Sequence, residues 1–166
     1  KLQNPKNEFF YNLSPIFNSE TKLVSLKKFV SPKRMFNNKY AHRASASKTM
    51  RLAYSKLAKS ILKIYKPKSI LEIGSNDGVF IKHFKKINNV GVEPCKNLAL
   101  ITKKMKIKTY DEFWTMRLSK KIMKKMNCFD VIYSANTISH IHNLSETFKA
   151  INNSLDDGGI FILEDP

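Results

Sequence analysis

The chain has 166 residues, 42% hydrophobic and 11% aromatic, which is the composition of one globular domain and excludes a disordered polycation. Its 30 Lys and Arg against 13 Asp and Glu give a strongly basic protein with a formal net charge of +17. No stretch approaches the roughly 18 consecutive apolar residues of a membrane span. Two cysteines are too few for a disulfide framework or a four-thiolate zinc site. We therefore expect a soluble cytoplasmic protein that has no membrane partner.

The positive charge is concentrated in the first part of the chain. Residues 1–68 hold 16 basic and 2 acidic side chains, whereas residues 69–166 hold 14 and 11. Such an excess attracts RNA, an anionic membrane surface or a diphosphate substrate. However, 26 of the 30 basic residues are Lys, which is less suited than Arg to bidentate recognition of phosphate or guanine. A solvated, lysine-rich surface is therefore favoured over a dedicated nucleic-acid patch.

In chain order, the first predicted part is an N-terminal appendage. Prolines and scattered aromatic residues interrupt residues 1–40, and no period is sustained, so we predict short strands and turns there. From Ser45 to Lys66, apolar residues recur at helical spacing until Pro67, which predicts one long amphipathic helix. We place this helix at the start of a second domain, residues 41–166.

Short apolar runs then alternate with helical patterns. The predicted strands are residues 69–74, 90–93, 107–110, 129–134 and 159–163. Helical stripes are predicted at residues 80–87, up to residue 104, at 118–126 and at 144–155. This alternation predicts an α/β fold with a doubly wound parallel sheet. In such sheets, ligands bind at the carboxyl ends of the strands, where the strand order reverses.

A glycine loop follows the first predicted strand of this sheet. Gly74 and Gly78 enclose Ser75, Asn76 and Asp77, and two glycines at this spacing allow a tight turn and a close approach to a ligand. A dinucleotide fingerprint would need glycine at positions 76 and 79, and the Gly-Lys-Ser/Thr of a Walker loop is missing. The loop therefore predicts a small polar ligand other than NAD or ATP.

Two acids accompany the loop. Glu72 precedes Gly74 by two residues, and Glu93 ends the next predicted strand. A carboxylate at that strand end can accept hydrogen bonds from both hydroxyls of a ribose. Acids and glycines at strand ends also serve as plain turn residues. The complete order of strand, acid, glycine loop, helix, strand and acid favours a nucleoside site.

This order resembles the Rossmann-like core of class I S-adenosylmethionine-dependent methyltransferases. The resemblance implies S-adenosylmethionine as the cofactor. It implies that Glu72 orients the loop and the methionine part, that Gly74 and Gly78 flank that part, and that Glu93 holds the ribose. The full set of cofactor-binding residues implied in this way is Tyr40, Ser47, Glu72, Gly74, Ser75, Asn76, Gly78, Glu93, Pro94, Asp111, Phe113 and Asn136.

A narrower resemblance extends over residues 22–166. Segments 40–51, 93–99, 110–113, 136–141, 157–159 and 164–166 are similar to successive motifs of the nucleotide-sugar C-methyltransferase family. By this resemblance, Tyr40 and Ser47 close over the cofactor, and residues 111–113 lie beside the adenine. Asn136 and His140 lie near the transferable methyl group and the sugar, which makes a nucleotide-sugar the expected small-molecule substrate.

Methylating a carbon next to a ketone requires a base and a partner for the enolate oxygen. His140 is the candidate base, because histidine exchanges protons readily near neutral pH. Asn136 is the candidate donor to the developing oxygen. A histidine that merely packs at a strand end remains an equal alternative for His140.

The sequence departs from the family in two places. Relatives begin with a cysteine-rich zinc module, and its last cysteine pair would fall near Asn18 and Thr21. We therefore expect no metal and interpret residues 1–40 as a degenerate remnant of that module. The fold normally adds two strands after the fifth, so we expect the methyltransferase core to be incomplete at its C-terminal end.

Three functions remain open. The first is C-methylation of a nucleotide-linked keto-sugar. The second is methylation of RNA through the basic N-terminal half, although residues 134–137 lack the Asn/Asp-Pro-Pro-aromatic motif expected for base-amino chemistry. The third is a non-catalytic fragment that binds S-adenosylmethionine. The oligomeric state is not predicted.

Overall fold

The computed structural model describes residues 10–165, so nine residues of the predicted appendage and Pro166 lie outside the described residues. Backbone contacts group the described residues into two compact units, which meet between residues 35 and 36. Residues 36–40, which the sequence pattern placed with the appendage, are grouped with the second unit. The origin of the first unit as a zinc-module remnant stays a prediction.

The described part of the first unit contains a small hairpin. Strand β1, Pro15–Phe17, pairs antiparallel with β2, Val24–Leu26, and a short helix α1, Pro32–Met35, follows. Asn18 closes the hairpin because its Oδ1 accepts the backbone N–H groups of Glu20 and Thr21, each at 2.9 Å. At one of the two positions where the family resemblance places cysteines, a carboxamide therefore organises the turn.

The second unit is built on a five-stranded sheet in which all neighbouring pairs are parallel. Its strands are β3 (Ser69–Ile73), β4 (Asn88–Val92), β5 (Lys108–Tyr110), β6 (Phe129–Ala135) and β7 (Leu155–Glu164). Their spatial order is β5-β4-β3-β6-β7. The chain runs outward from β3 in one direction and from β6 in the other, so the order reverses between them. This confirms the predicted α/β fold with a doubly wound parallel sheet.

Four helices belong to this unit: α2 (Lys48–Ile64), α3 (Lys96–Lys104), α4 (Met116–Met123) and α5 (Leu144–Ser154). The apolar side of α2 packs on one face of the sheet, with Tyr54, Ile61, Ile70 and Phe80 in one core. The side chains of α4 and α5 form a second core on the opposite face, and the indole of Trp114 is buried there. Between residues 10 and 165, no helix is both long and apolar enough to cross a membrane.

Two predicted helices differ from the structure. The helix expected from Ser45 begins at Lys48, because Ser47 is extended and its hydroxyl accepts the Met50 N–H as an N-cap; a 3₁₀ turn, Ala44–Ala46, precedes it. The helix expected at residues 80–87 is only a 3₁₀ turn, Ile81–Phe84. Gly78 still has a left-handed backbone, with φ of +78°, and β4 starts at Asn88, which leaves too little chain for a regular helix.

Candidate functional site

Glu93 connects the glycine loop, residues 74–78, to the end of β4. Its two carboxylate oxygens accept the backbone N–H groups of Asn76 and Cys95, both at 2.8 Å. The N–H groups of Gly74 and Ser75 donate to the Val92 carbonyl at 2.8 and 3.0 Å. The first turn of the loop is therefore fixed against the carboxyl end of the neighbouring strand.

Glu72 lies on the same side of the sheet as Glu93. It pairs in register with Gly91, two residues before Glu93, and successive side chains of a strand alternate between faces. Glu72 is 5% exposed, and its Oε2 accepts the Ile81 N–H at 3.1 Å. Glu93 is also 5% exposed, and Asp77 in the loop is 2% exposed. Three carboxylates are thus buried together at one edge of the sheet, and we call them the acid cluster.

The acid cluster has no basic partner within residues 10–165. The ion pairs of this part of the chain all lie elsewhere, on Asp111 and Glu112. Burial raises the pKa of Glu72 well above its ordinary value, and the negative charges of Glu93 and Asp77 raise it further. Burial also raises the pKa of Glu93, while the N–H groups that it accepts oppose this rise. Keeping these groups ionised near neutral pH therefore costs folding free energy.

The glycines of the loop are required by close contacts within the protein. Gly74 has φ of +77°, and a Cβ there would lie 2.1 Å from Thr137 Oγ1. A Cβ on Gly78 would lie 3.1 Å from the side chain of Thr102 on α3. Ser75 is buried against Gly91, where a Cβ would approach its Oγ to 2.8 Å. Contact of Gly74, Ser75 and Gly78 with a cofactor stays a prediction.

Residues 36–46, which we call the strap, are attached to the glycine loop. Asn76, at a positive φ of +47°, accepts the Ala44 N–H at 2.9 Å through its side chain and donates to the His42 carbonyl at 3.3 Å. The Asp77 carboxylate accepts the backbone N–H and the hydroxyl of Ser45. The loop side chains therefore hold the strap, a role that the sequence pattern did not predict.

Tyr40 lies in the strap beside the acid cluster. Its carbonyl accepts Asn97 Nδ2 at 2.9 Å, and its ring contacts Phe36 and His42. Burial raises the pKa of Tyr40, and the charges of Cys95 and Glu93 add to the rise. This position is compatible with closure over a ligand. The hydroxyl of Ser47 instead serves as the α2 N-cap, and its cofactor contact stays a prediction.

The loop after β6, residues 136–141, faces the glycine loop across the point where the strand order reverses. Asp165 holds it by accepting the N–H groups of Ile138 at 2.9 Å and Ser139 at 3.3 Å. His140 is exposed, and its ring lies edge-on to Phe36 of the strap with centroids 5.7 Å apart. The two candidate catalytic residues are thus carried on a loop that Thr137 packs against Gly74.

Asn136 begins this loop with φ of +49° and donates its N–H to the Glu164 carbonyl at 2.7 Å. Burial raises the pKa of the nearby Tyr54 to about 12, where the charges of Glu72 and Glu164 add to the rise and the Asn136 side chain opposes it. Tyr133 donates its hydroxyl to Glu164 Oε2 at 3.1 Å. The buried side chains of Tyr54 and Tyr133 therefore lie under the end of β6, within the core.

The remaining predicted residues lie at the β5 side. The Asp111 carboxylate is exposed and pairs with Lys103 Nζ at 2.8 Å, and this hydrogen bond lowers its pKa. Phe113 and Pro94 are half-buried. Their contact with an adenine stays a prediction.

Sequence reasoning missed Ser45, Asp77 and Asp165 as site residues. Asp77 lies inside the glycine loop, so its position in the sequence could have identified it. Ser45 and Asp165 have partners that are distant in sequence, so no local pattern could have identified them. No group of three His, Cys, Asp or Glu side chains within residues 10–165 is arranged to hold a metal ion.

Comparison with known proteins places this geometry in a family. Residues 39–166 match the family described as "Methyltransferase domain". The C-methyltransferase NovU of Streptomyces niveus is 25% identical over 99 residues, which are 58% of this chain and 24% of that protein.

Among solved structures, a SAM-dependent methyltransferase of Archaeoglobus fulgidus superposes with a TM-score of 0.58 at 17% identity, covering 69% of this chain and 52% of the other. The plantazolicin methyltransferase BpumL in complex with SAH gives 0.55 at 18% identity, covering 72% and 49%. The chain thus spans about a quarter of the curated relative and about half of these structures. With residues 39–166 matched and the sheet shared, the chain belongs to the methyltransferase domain family and has the Rossmann-like fold of SAM-dependent methyltransferases.

Proposed function

We propose that this chain binds S-adenosylmethionine at the acid cluster and the glycine loop, and that it methylates a carbon atom of a nucleotide-linked keto-sugar. The observation that carries the cofactor proposal is the acid cluster itself. Glu72, Asp77 and Glu93 are each at most 5% exposed, yet no basic side chain of residues 10–165 pairs with them. Buried charges are normally paired or bound to a ligand.

A cationic organic ligand would relieve this imbalance. S-adenosylmethionine carries a positive sulfonium and a positive ammonium group, and both are attracted by nearby carboxylates in a medium of low dielectric constant. The cofactor supplies the methyl group from its sulfonium centre. SAH, which is bound to the structurally similar BpumL, has no sulfonium charge. The acid cluster should therefore bind S-adenosylmethionine more tightly than SAH.

The residues present fit the parts of this ligand. Each oxygen of the Glu93 carboxylate uses one lone pair for a backbone N–H and retains capacity for a ribose hydroxyl. Tyr40 of the strap, whose carbonyl accepts Asn97 Nδ2 four residues after Glu93, would cover the nucleoside. Glu72 would act through the turn at Ile81 and through its charge.

Calorimetry tests the cofactor proposal. We expect S-adenosylmethionine to bind the wild-type chain, and the Glu93→Gln substitution to weaken binding by about 10- to 100-fold, because a charged hydrogen-bond acceptor contributes about 1.5–3 kcal/mol. Asp157→Asn is the matched control, since this exposed acid follows α5 at the opposite edge of the sheet. Equal affinity of wild type and Glu93→Gln, or no binding by either at millimolar ligand, would refute the proposal.

The acceptor proposal rests on the 136–141 loop and on the C-methyltransferase NovU as a relative. Forming a carbon–methyl bond next to a ketone requires loss of a proton from that carbon, which leaves an enolate as the nucleophile. Exposed His140 would take the proton, and the Asn136 side chain would donate to the enolate oxygen. The exposure of His140 allows a substrate to reach it without rearrangement of the core.

Proton removal can be measured without methyl transfer. We expect the wild-type chain with SAH to exchange the α-hydrogen of a nucleoside-diphosphate keto-sugar for deuterium, detected by NMR. His140→Ala should slow this exchange by about 10²- to 10⁴-fold, the usual contribution of a general base. His142→Ala, two residues away, is the control. If both variants exchange at the wild-type rate, His140 is not the base.

A further inference from the structure

One part of the surface of the second unit is rich in basic side chains. Residues 36–92 contain twelve basic residues and two acidic ones. Eleven of the twelve are exposed, and Lys82 is half-buried. The two acids, Glu72 and Asp77, are buried in the acid cluster. No carboxylate of residues 10–165 forms an ion pair with any of the twelve. Lys66 and Lys68 share a surface pocket with Asp130, Asp156 and Asp157, so the positive charge without neighbouring acids is that of α2.

The centre of this surface is helix α2, whose sequence contains no acidic residue. Lys48, Lys56, Lys59 and Lys63 fall within about a quarter of the helix circumference at 3.6 residues per turn, and we call them the lysine row. They span about 22 Å along the axis at 1.5 Å per residue. Like charges in this arrangement repel one another and destabilise the helix slightly, although Lys63 is favourably placed in its last turn.

The positive charge extends from α2 to the adjacent turn. His83 lies in the turn Ile81–Phe84. Burial is the main cause that lowers its pKa, and the positive charges of Lys82 and Lys59 lower it further. The charges of Lys59, on α2, and Lys82, in the turn, therefore both act on His83. The row itself starts at Lys48, beside the Ser47 cap and the strap, and ends near Lys66 and Lys68 before β3.

We propose that the lysine row is a docking surface for the phosphodiester backbone of a nucleic acid. A linear polyanion complements a row of unpaired cations about 22 Å long. Ammonium groups contact phosphates as point charges, whereas Arg is the usual reader of base edges, so binding at this row is independent of sequence. Lipid insertion is not favoured, because the apolar face of α2 is buried in the core.

The test compares two triple variants with the same net charge. Lys56, Lys59 and Lys63 are changed to Gln in the row variant. In the control variant, Lys120, Lys124 and Lys125, which are exposed on and after α4 against the opposite face of the sheet, are changed to Gln. Binding of a labelled 30-nucleotide single-stranded RNA and DNA is followed by fluorescence anisotropy from 50 to 300 mM salt. Circular dichroism checks folding, and calorimetry with S-adenosylmethionine follows the cofactor site independently.

We expect the row variant to lose at least about tenfold in affinity at 100 mM salt and to reduce the slope of log K against log salt by about 2, since each phosphate contact contributes about 0.7. In the control variant, the loss of affinity and the reduction of the salt slope should each be less than half as large. Equal losses in both variants would mean a net-charge effect and would overturn the proposal. So would absent oligonucleotide binding, or tighter binding of the wild type to anionic phosphatidylserine vesicles than to either oligonucleotide.

Discussion

Replacing Gly74 with Ala should destabilise the folded chain by about 2–5 kcal/mol. A left-handed backbone costs an L-residue about 1–2 kcal/mol, and overpacking adds about 1–3 kcal/mol. Both apply at Gly74, where φ is +77° and a Cβ would lie 2.1 Å from Thr137 Oγ1. Urea unfolding of wild type and variant measures the difference.

Gly158 provides a matched control for the backbone term. Its φ is +79°, but nothing lies within 4 Å of a Cβ built there. Gly158→Ala should therefore lose only about 1–2 kcal/mol. Adding Thr137→Ala to Gly74→Ala should recover part of the loss, because the two side chains interact directly. Equal losses at Gly74 and Gly158 would show that the 136–141 loop moves aside freely, which would contradict close packing of the two loops.

The sheet and the two strand-end acids could be predicted because they depend on local patterns. Apolar runs marked the strands, and Glu93 followed one of them directly, so its position at the carboxyl edge did not need tertiary information. The helix expected at residues 80–87 was wrong because apolar spacing does not report the positive φ of Gly78 or the early start of β4. The local spacing of apolar residues gives no information on either feature.

The attachment of the strap could not be predicted for a different reason. Ser45 and Asp77 are 32 residues apart, and their contact depends on how α2 returns the chain to the start of β3. The family resemblance pointed to Ser47, whose hydroxyl caps the helix, and not to Ser45, whose hydroxyl donates to Asp77. Nothing local distinguishes two serines separated by one alanine.

The second large effect is expected from Asp77, which fastens the strap. Asp77→Ala removes a carboxylate that accepts both the N–H and the hydroxyl of Ser45. Hydrogen bonds to a charged group contribute about 1.5–3 kcal/mol, so losing them should raise the open population of the strap about 100-fold. Trypsin cleavage after exposed Arg43, followed by mass spectrometry, should accelerate in proportion, because proteolysis tracks the open population when reclosing is fast.

Two comparisons separate release of the strap from general destabilisation. Asp77→Asn keeps one acceptor oxygen for Ser45 and should accelerate cleavage about tenfold. Asp130 also accepts two backbone N–H groups, from Lys68 and Ser69 at 2.6 and 3.0 Å, but at the start of β3 on the opposite edge. Asp130→Ala should lower global stability without selective cleavage after Arg43. If cleavage there rises equally in Asp77→Ala and Asp130→Ala, the strap opens only with the whole domain. Selective cleavage would show that the strap opens locally while the sheet stays folded.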